Sequence, residues 1–276
     1  MHRLSIALVS GLAVSCPAYA ETLSPAEAEA GPEIVVTGVF QRDLRDSSSP
    51  VSVIAEAELQ RDLRPQLGEA LANQAGVSAT SFGPNASRPV LRGLQGERVR
   101  ILTDGIGAFD VSNTSADHAV AIDPLLADRI EVLRGPASMR FGSSAIGGVV
   151  NVLDKRIPLE LPDNRVAVDA SAAYGSAARE RSGGGALTAR LGDTFAVRAG
   201  GSYTKTGDLR TGGFILARGL RNQAATSVDT DIRALSTRAG RLANSSSETR
   251  TGHIGIAHIN DGGTIGAALT RYESVY

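Results

Sequence analysis

The segment from Ala108 to Ala119 holds an adjacent carboxylate and imidazole, Asp117 and His118. Both groups are suitable ligands for Zn²⁺, but a closed zinc site takes about four ligands, so partners would have to come from elsewhere in the chain. Apart from His2, the remaining histidines are His253 and His258. An Asp-His dipeptide is also an ordinary solvated loop pair, and the sequence leaves both interpretations open.

An enzyme is the less favoured interpretation of these groups. A metal-dependent hydrolase could use Asp104, Asp117, His118 and Asp123, but catalysis would need an open metal position and a general base held in a pocket. The sequence contains no Ser/His/Asp motif, zincin helix or phosphate-binding glycine loop. We therefore predict no enzyme, no catalytic residues and no resident cofactor. The net charge of −1 likewise offers no basic stripe for nucleic acid.

The element that follows the Asp-His pair is a strand, a corner and a second strand between Asp128 and Val152, with the sequence DRIEVLRGPASMRFGSSAIGGVVNV. Residues 129–133 alternate between polar and apolar, as expected for a half-buried strand. Gly135 and Pro136 force a turn, and residues 137–141 can form one helical turn that ends near Gly142. The adjacent Gly147 and Gly148 indicate close backbone approach in the second strand.

The surrounding residues, 49–158, predict an α+β domain of about 110 residues, large enough for a core of its own. Asp104 and Gly105 are typical of a tight turn, and Asp123-Pro124 is typical of a helix start. We predict strands at 50–54 and 98–103 and short helices at 56–63 and 66–73.

The beginning of the chain predicts export. Residues 1–20 combine a basic start, a short apolar run and a small-residue cleavage site, as in a secretory signal peptide. Cys16 would be removed with the signal peptide. The less favoured alternative is that Cys16 is the lipidated cysteine of a lipoprotein. Residues 21–48 are predicted to be a linker that contains a Val/Ile run ending in glycine: Glu33, Ile34, Val35, Val36, Thr37 and Gly38.

From residue 159 onward, short segments alternate between apolar and polar residues, as in membrane-spanning strands. Tight connections at Gly192-Asp193 and 260–263 contrast with the long connection 205–247, which predicts that the long connections face outward. In the fifth segment Tyr272 falls on the parity of Thr264 rather than of Ile265, which weakens the pattern. We predict five strands, at 166–174, 184–191, 195–204, 253–259 and 264–272.

The strand–corner–strand motif closely resembles the plug domain of TonB-dependent outer-membrane receptors, in which an IEVLRGP strand precedes a GSGAIGGVINI-like strand. The resemblance implies that residues 33–38 are the TonB box, which would pair edge to edge with TonB by β-augmentation. It also implies that residues 88–93, which resemble the family's "IRG" strand, form a strand, and that motif arginines pair with the barrel wall. Arg140 is counted with the arginines that could pair with the wall. The matching plug positions are Arg92, Gly93, Arg129, Glu131, Arg134, Gly135, Pro136, Gly142, Gly147 and Gly148.

The setting of Asp117-His118, "DHA" just before the IEVLRGP strand, resembles the zinc-uptake subgroup of these receptors. The resemblance implies an α+β plug domain (49–158) followed by the first antiparallel strands (159–276) of an incomplete transmembrane β-barrel, which has about 22 strands in the family. We expect a fragment or a truncated product that could not transport alone, because an open sheet edge is not viable in lipid.

The resulting functional prediction is a TonB-dependent receptor in the outer membrane of a Gram-negative bacterium, which takes up a scarce metal. Zinc is favoured as the substrate ion. The expected partners are TonB with its inner-membrane complex, outer-membrane lipid and a small metal or metal-chelate substrate. A ferric-siderophore or other chelate receptor is the alternative within the class. A plug-only periplasmic protein that binds TonB without transport is the alternative from another class.

Overall fold

The computed structural model describes residues 34–35, 42–43, 51–82, 85–108, 111–115 and 117–276. These residues belong to one compact unit, Ile34–Tyr276. The predicted signal peptide lies outside the described residues, and so does most of the predicted linker. Of the predicted TonB box, only Ile34 and Val35 are described, as the short strand β1, which pairs antiparallel with β2 (Arg42–Asp43).

Residues 51–154 form the predicted α+β domain. Its main sheet has five strands in the order β3-β8-β9-β6-β7, and a separate hairpin joins β4 to β5. The elements are β3 (Val51–Ala55), α1 (Glu56–Arg61), α2 (Leu67–Leu71), β4 (Val77–Ala79), β5 (Pro89–Leu91), β6 (Val99–Thr103), β7 (Ile106–Gly107), β8 (Ala127–Leu133) and β9 (Gly148–Asp154).

The two strands of the motif lie at the middle of this sheet. β8 pairs antiparallel with β3 and β9, and β9 pairs in parallel with β6. Ile130 and Val132 of β8 are fully buried, as are Val150 and Val152 of β9. Leu71 of α2 closes the same core, so the alternation seen in the sequence marks the interior of the domain.

The predicted turns of the domain are confirmed. Asp104 and Gly105 have φ values of 51° and 79°, as a tight turn with two left-handed residues requires. Asp123 caps a 3-10 turn, Pro124–Leu126, and its Oδ1 accepts a hydrogen bond from the Leu125 amide at 3.0 Å. Both helices are shorter than predicted. The shortening is mainly at the C-terminal ends, and for α1 the backbone of the C-cap Asp62, with φ −125° and ψ 70°, is no longer helical.

A second, antiparallel sheet of five strands follows, in the order β10-β11-β12-β15-β16. All five predicted strands are present, and each reaches or exceeds its predicted length. They are β10 (Val166–Gly175), β11 (Glu180–Leu191), β12 (Phe195–Thr206), β15 (Ser247–Asn260) and β16 (Gly263–Val275). Within the described ranges, no helix has the length and apolar character needed to cross a membrane.

One face of the second sheet contacts the α+β domain, and the other face is exposed and apolar. Val168, Leu187, Ile256 and Leu269 lie on the exposed face, as their parity predicts. Tyr272 has the opposite parity and lines a small cavity against the domain, together with Ile122 and Asp123. The irregular alternation of β16 therefore reflects an inward-facing aromatic residue, and the strand is continuous.

The long connection between β12 and β15 is structured, which the sequence analysis does not predict. It contains a short hairpin, β13 (Arg210–Phe214) and β14 (Ala239–Arg241), which encloses two helices, α3 (Arg218–Ala225) and α4 (Thr230–Leu235). Asp229 caps α4 by accepting hydrogen bonds from the amides of Asp231 and Ile232. These elements are short and mostly exposed, so the sequence contains no hydrophobic periodicity long enough to predict them.

Candidate functional site

The corner between β8 and β9 is held by glycine conformations and one buried hydroxyl group. Gly135 has a φ of 82°, and the 3-10 turn Pro136–Phe141 begins directly after it. Ser138 is buried, and its Oγ lies 2.8 Å from the Gly135 carbonyl oxygen and 2.7 Å from that of Ala145. Ser138 is not among the predicted site residues, although a serine one turn after a Gly-Pro corner is a recognisable signal.

The paired glycines allow the close approach that the sequence predicts. A Cβ on Gly147 would lie 2.8 Å from the Arg98 carbonyl oxygen. A Cβ on Gly148 would lie 2.8 Å from the Leu133 carbonyl oxygen, and its φ of 136° is also unfavourable for a side chain. A side chain at Gly147 would therefore push β9 away from Arg98, and one at Gly148 would push the two motif strands apart.

The motif arginines stay within the domain. Arg129 bonds to Glu131 through Nε, at 3.1 Å from Oε1, and to Asp128. Arg134 is buried and donates from Nη1 to the Ser52 hydroxyl at 3.2 Å. Burial, and secondarily the nearby Arg92 guanidinium, lowers the pKa of Arg134. Among the described residues, none of these arginines has a hydrogen bond or ion pair to the second sheet, so the predicted pairing with the wall stays a prediction.

The tight bend at Arg92 and Gly93 uses left-handed backbone conformations, with φ values of 51° and 81°. The Leu91 amide bonds to the Leu94 carbonyl oxygen across this bend at 2.9 Å. The side chain of Arg92 is exposed, as is that of Arg140. Both cations therefore lie on the surface of the described domain.

The predicted metal pair is exposed. His118 Nδ1 lies 3.0 Å from Asp117 Oδ1, and the Ser115 hydroxyl donates to the same oxygen. These two hydrogen bonds, from Ser115 first, lower the pKa of Asp117 below its ordinary value of 3.8. In the described part of the chain, no group of three or more His, Cys, Asp or Glu side chains could hold a metal ion. The pair alone supplies two candidate ligands.

Hydrogen bonds that involve hydroxyl groups of the second sheet join it to the domain, and no sequence pattern predicts them. Asp123 Oδ2 accepts hydrogen bonds from Ser202 of β12 and from Thr251 of β15, the latter at 2.7 Å. Asn85 Nδ2 donates to Thr249 of β15 at 3.2 Å and to Ser274 of β16 at 2.8 Å. In both cases the two hydroxyl residues are direct cross-strand partners.

Glycines on the inner face of the sheet lie directly against the chain segment that leaves the domain. A Cβ on Gly255 would lie 2.0 Å from the Arg156 carbonyl oxygen, and a Cβ on Gly266 would lie 2.5 Å from Ile157 Cγ2. Together with the two hydroxyl pairs, these positions show that β12, β15 and β16 are shaped to hold the domain.

The connection between β12 and β15 carries an excess of positive charge. It has six arginines and three aspartates between Gly207 and Ser246. Arg210 and Arg241 are direct cross-strand partners, and the Arg221 guanidinium lies 3.6 Å from the centre of the Phe214 ring. Across the described residues, no ion pair involves any of the six arginines.

A small mixed domain held against the inner face of an antiparallel sheet whose outer face is apolar defines a plugged barrel wall. The profile described as "TonB-dependent Receptor Plug Domain" matches residues 43–149. Residues 43–149 therefore form a TonB-dependent receptor plug domain, and the antiparallel strands that follow it have the fold of a partial barrel.

The curated relatives that match this chain are named as outer-membrane proteins. The iron-regulated outer membrane virulence protein of Vibrio cholerae serotype O1 is 27% identical over 159 residues, which are 55% of this chain and 24% of that protein. The chain therefore spans about a quarter of the length of the curated relatives it matches.

Two solved structures share the fold. A mutant ferric enterobactin receptor from Pseudomonas aeruginosa, in complex with enterobactin, matches with a TM-score of 0.55 and 20% identity, over 83% of this chain and 34% of that one. The ferric-catecholate import receptor from E. coli K12 matches with a TM-score of 0.53 and 23% identity, over 84% of this chain and 40% of that one.

Proposed function

We propose that this chain provides the plug and wall strands of an outer-membrane receptor that takes up a negatively charged metal chelate and draws its energy from TonB. The plug domain and its relatives among outer-membrane iron and siderophore receptors support the receptor class. The proposal includes two further parts. Residues 1–20 direct export as a signal peptide, and residues 33–38 pair with TonB.

The observation that carries the choice of cargo is the arginine excess between β12 and β15. Like charges that face each other directly across a hairpin are destabilising, so the pair Arg210 and Arg241 is best explained by an anion between them. Guanidinium groups suit carboxylate or catecholate oxygens, whereas they repel a free cation. The Arg221–Phe214 pair adds a flat surface suited to an aromatic chelator.

A free zinc ion is the second candidate, and it depends on Asp117 and His118. The proximity of the two groups, with His118 Nδ1 3.0 Å from Asp117 Oδ1, supports this candidate, although that hydrogen bond would have to break for both to bind one ion. Further ligands would have to come from residues beyond these two. We therefore place a chelate ahead of zinc, which reverses the preference derived from the sequence.

The plug-only alternative is less favoured because the second sheet is long, antiparallel and apolar on its outer face. A periplasmic protein would expose Val168, Leu269 and their neighbours to water, where an apolar patch of this kind promotes aggregation. A lipid environment removes that cost.

The proposal can be tested in cells that lack their own siderophore and zinc receptors and express the receptor from its complete gene. Uptake of ⁵⁵Fe supplied as catecholate, hydroxamate or citrate chelates would be compared with uptake of ⁶⁵Zn²⁺, with and without TonB. We expect TonB-dependent uptake of at least one anionic iron chelate. Exclusive uptake of free zinc would overturn the cargo assignment, and uptake that is independent of TonB would overturn the mechanism.

Two pairs of variants test the cargo assignment and the dependence on TonB separately. Arg210→Gln with Arg241→Gln should reduce chelate uptake, whereas Arg210→Lys with Arg241→Lys should retain part of it because the charge remains. Val36→Pro should abolish energised uptake, since proline removes the backbone donor that strand pairing with TonB needs, and Val36→Ala should not.

A further inference from the structure

A small cavity between the plug and the inner face of the sheet lies beside an unpartnered histidine. The cavity measures about 60 Å³, room for about four water molecules, and Asp123, Thr251 and His253 are among the residues that line it. The Nε2 atom of His253 is buried and has no hydrogen-bond partner among the described residues. Buried polar atoms normally have such a partner. An unused imidazole nitrogen therefore lies close to the plug.

His253 occupies the next inward-facing position beyond the hydroxyl pair that holds Asp123. Ser202 and Thr251 are cross-strand partners, and the next inward-facing pair of the same two strands is Gly200 and His253. Two residues of a strand span about 6.8 Å. The imidazole lies against the bare backbone of Gly200, since a Cβ there would lie 2.8 Å from His253 Cε1. The wall thus offers a second position for a carboxylate, one row away from the present one.

Asp123 is the carboxylate that can use this second position. Its oxygens accept hydrogen bonds from two hydroxyl groups and one backbone amide, all of them uncharged. Within the described part of the chain, it takes part in no ion pair. A cation at His253 would therefore be the first to neutralise it.

The other charged or titratable groups that face His253 already have partners. These groups are Asp154, Arg156, Arg198 and Tyr272. Arg156 is paired with Asp154 at 3.2 Å and with Asp104 at 2.6 Å. Arg198 is paired with Asp169 at 3.3 Å. The two guanidinium groups keep their own carboxylates, so a protonated imidazole needs a further carboxylate to balance its charge.

The His253 row lies toward the rim with the tight connections. β15 runs from the long connection to the turn at 260–263, so His253 is nearer than Thr251 to the rim that is predicted to face the periplasm. A pull on the plug from the periplasm would therefore carry Asp123 away from its hydroxyl partners and toward His253.

We propose that the His253 imidazole is a second docking position for the Asp123 carboxylate, which the plug reaches when it is pulled one row toward the periplasmic rim. In this position His253 takes up a proton from water and donates from Nε2 to Asp123. The bonds to Ser202 and Thr251 are thereby exchanged for one charge-assisted hydrogen bond. Low pH favours the second position, because it binds a proton and imidazole titrates at about pH 6.5. The inference rests on the proposed function for the direction of the pull, but the pH response needs neither TonB nor cargo.

Two pairs of cysteines report the position of the turn that carries Asp123. A Cβ on Gly184 would lie 3.6 Å from Leu125 Cβ, as in a disulfide, so Leu125→Cys with Gly184→Cys reports the present position. Ala186 is the next inward-facing residue of β11, so Leu125→Cys with Ala186→Cys reports the second position. Each pair is introduced into the receptor purified from its complete gene, and disulfide formation is compared between variants at about pH 7.5 and at about pH 6.

The second pair should depend on His253. At the lower pH it should crosslink about tenfold faster in the otherwise unmodified receptor than in His253→Gln, as expected for one charge-assisted hydrogen bond. His253→Lys carries a cation at both pH values and should crosslink the second pair fast at both. His258→Gln is the matched control, because that histidine points outward beside Phe195 and should not alter the response.

Formation of the first disulfide in every variant shows that the plug is seated. Equal crosslinking of the second pair in His253→Gln and in the unmodified receptor would overturn the inference, and so would a second pair that crosslinks no faster in His253→Lys than in His253→Gln. Absence of TonB-dependent uptake together with a retained pH response would count against the proposed function alone.

Discussion

The carboxylate of Asp123 in the plug accepts a hydrogen bond from the Thr251 hydroxyl on strand β15 at 2.7 Å. The same oxygen accepts a second bond from Ser202, the cross-strand partner of Thr251. The other carboxylate oxygen caps the 3-10 turn that leads into the central strand β8. One side chain therefore fixes a turn of the plug and attaches that turn to two strands of the wall.

Replacement of Asp123 should loosen the plug at this point. In Asp123→Ala the turn loses its cap and the two hydroxyl groups lose a charged acceptor, so we expect a loss of about 2 kcal/mol in local stability. Hydrogen exchange of the amides at 125–127, followed by mass spectrometry, measures it. Asp123→Asn retains the acceptor for the cap, and its amide NH2 can donate to the hydroxyl oxygens of Ser202 and Thr251, so it should show an intermediate effect. Unchanged exchange in Asp123→Ala would contradict the attachment.

Alternation in the sequence was sufficient to predict the wall strands, because burial on one face imposes a period of two residues. The Gly-Pro corner and the Asp104-Gly105 turn were equally accessible, since both depend on local backbone freedom. The contacts of Asp123 and Asn85 were not accessible. They join residues far apart in the chain, and the serine and threonine partners resemble ordinary lumen-facing residues.

The candidate site was predicted only in outline. The Asp117-His118 pair is present as a contact, but its assignment to zinc depended on a resemblance. The arginines between β12 and β15 form no short sequence motif. Only the structure shows that Arg210 and Arg241 are cross-strand partners. Tyr272 interrupted the alternating pattern of the fifth predicted strand because it packs against the plug, and that contact depends on tertiary structure.

Any side chain at position 148 should destabilise the plug, because Gly148 packs closely against Leu133 and Leu91. Gly148→Ala places a Cβ 2.8 Å from both the Leu133 carbonyl oxygen and Leu91 Cδ1, in a backbone conformation that alanine disfavours. We expect a loss of about 3 kcal/mol in the free energy of unfolding. Urea denaturation followed by circular dichroism measures it. Gly212→Ala is the control, because nothing lies within 4 Å of its Cβ, and similar stabilities for the two variants would contradict the prediction.

The titration of Asp104 should affect stability in a defined direction. Burial, and then the Asp154 carboxylate, raises the pKa of Asp104 above 3.8, while Arg156 opposes the shift. The folded state therefore binds this proton more tightly than the unfolded chain. Its stabilising contribution is complete below pH 3.8 and is lost as the pH rises through the raised pKa.

Asp104→Asn removes that titration and suits the left-handed backbone at this position. Its stability relative to the unmodified chain should rise as the pH increases from below 3.8 through the raised pKa, as measured by urea midpoints. Asp117→Asn should show the opposite slope, because its pKa is lowered by Ser115 and His118. A relative stability of Asp104→Asn that falls with increasing pH would show that the Arg156 pairing dominates.

The Asn85 contact should be less costly to remove than the Asp123 contact, although both use a pair of hydroxyl groups. The Thr249 and Ser274 hydroxyl oxygens lie 2.9 Å apart, so they can bond to each other when the Asn85 amide is absent. For Ser202 and Thr251, no such bond exists in the described residues, and loss of Asp123 leaves both without their acceptor. We expect Asn85→Ala to cost about 1 kcal/mol, roughly half the effect of Asp123→Ala. Exchange of amides in β15 measures both variants on one scale, with Asn85→Ser as a control that restores a donor. A larger effect at Asn85 would show that mutual bonding of Thr249 and Ser274 does not compensate for the lost amide.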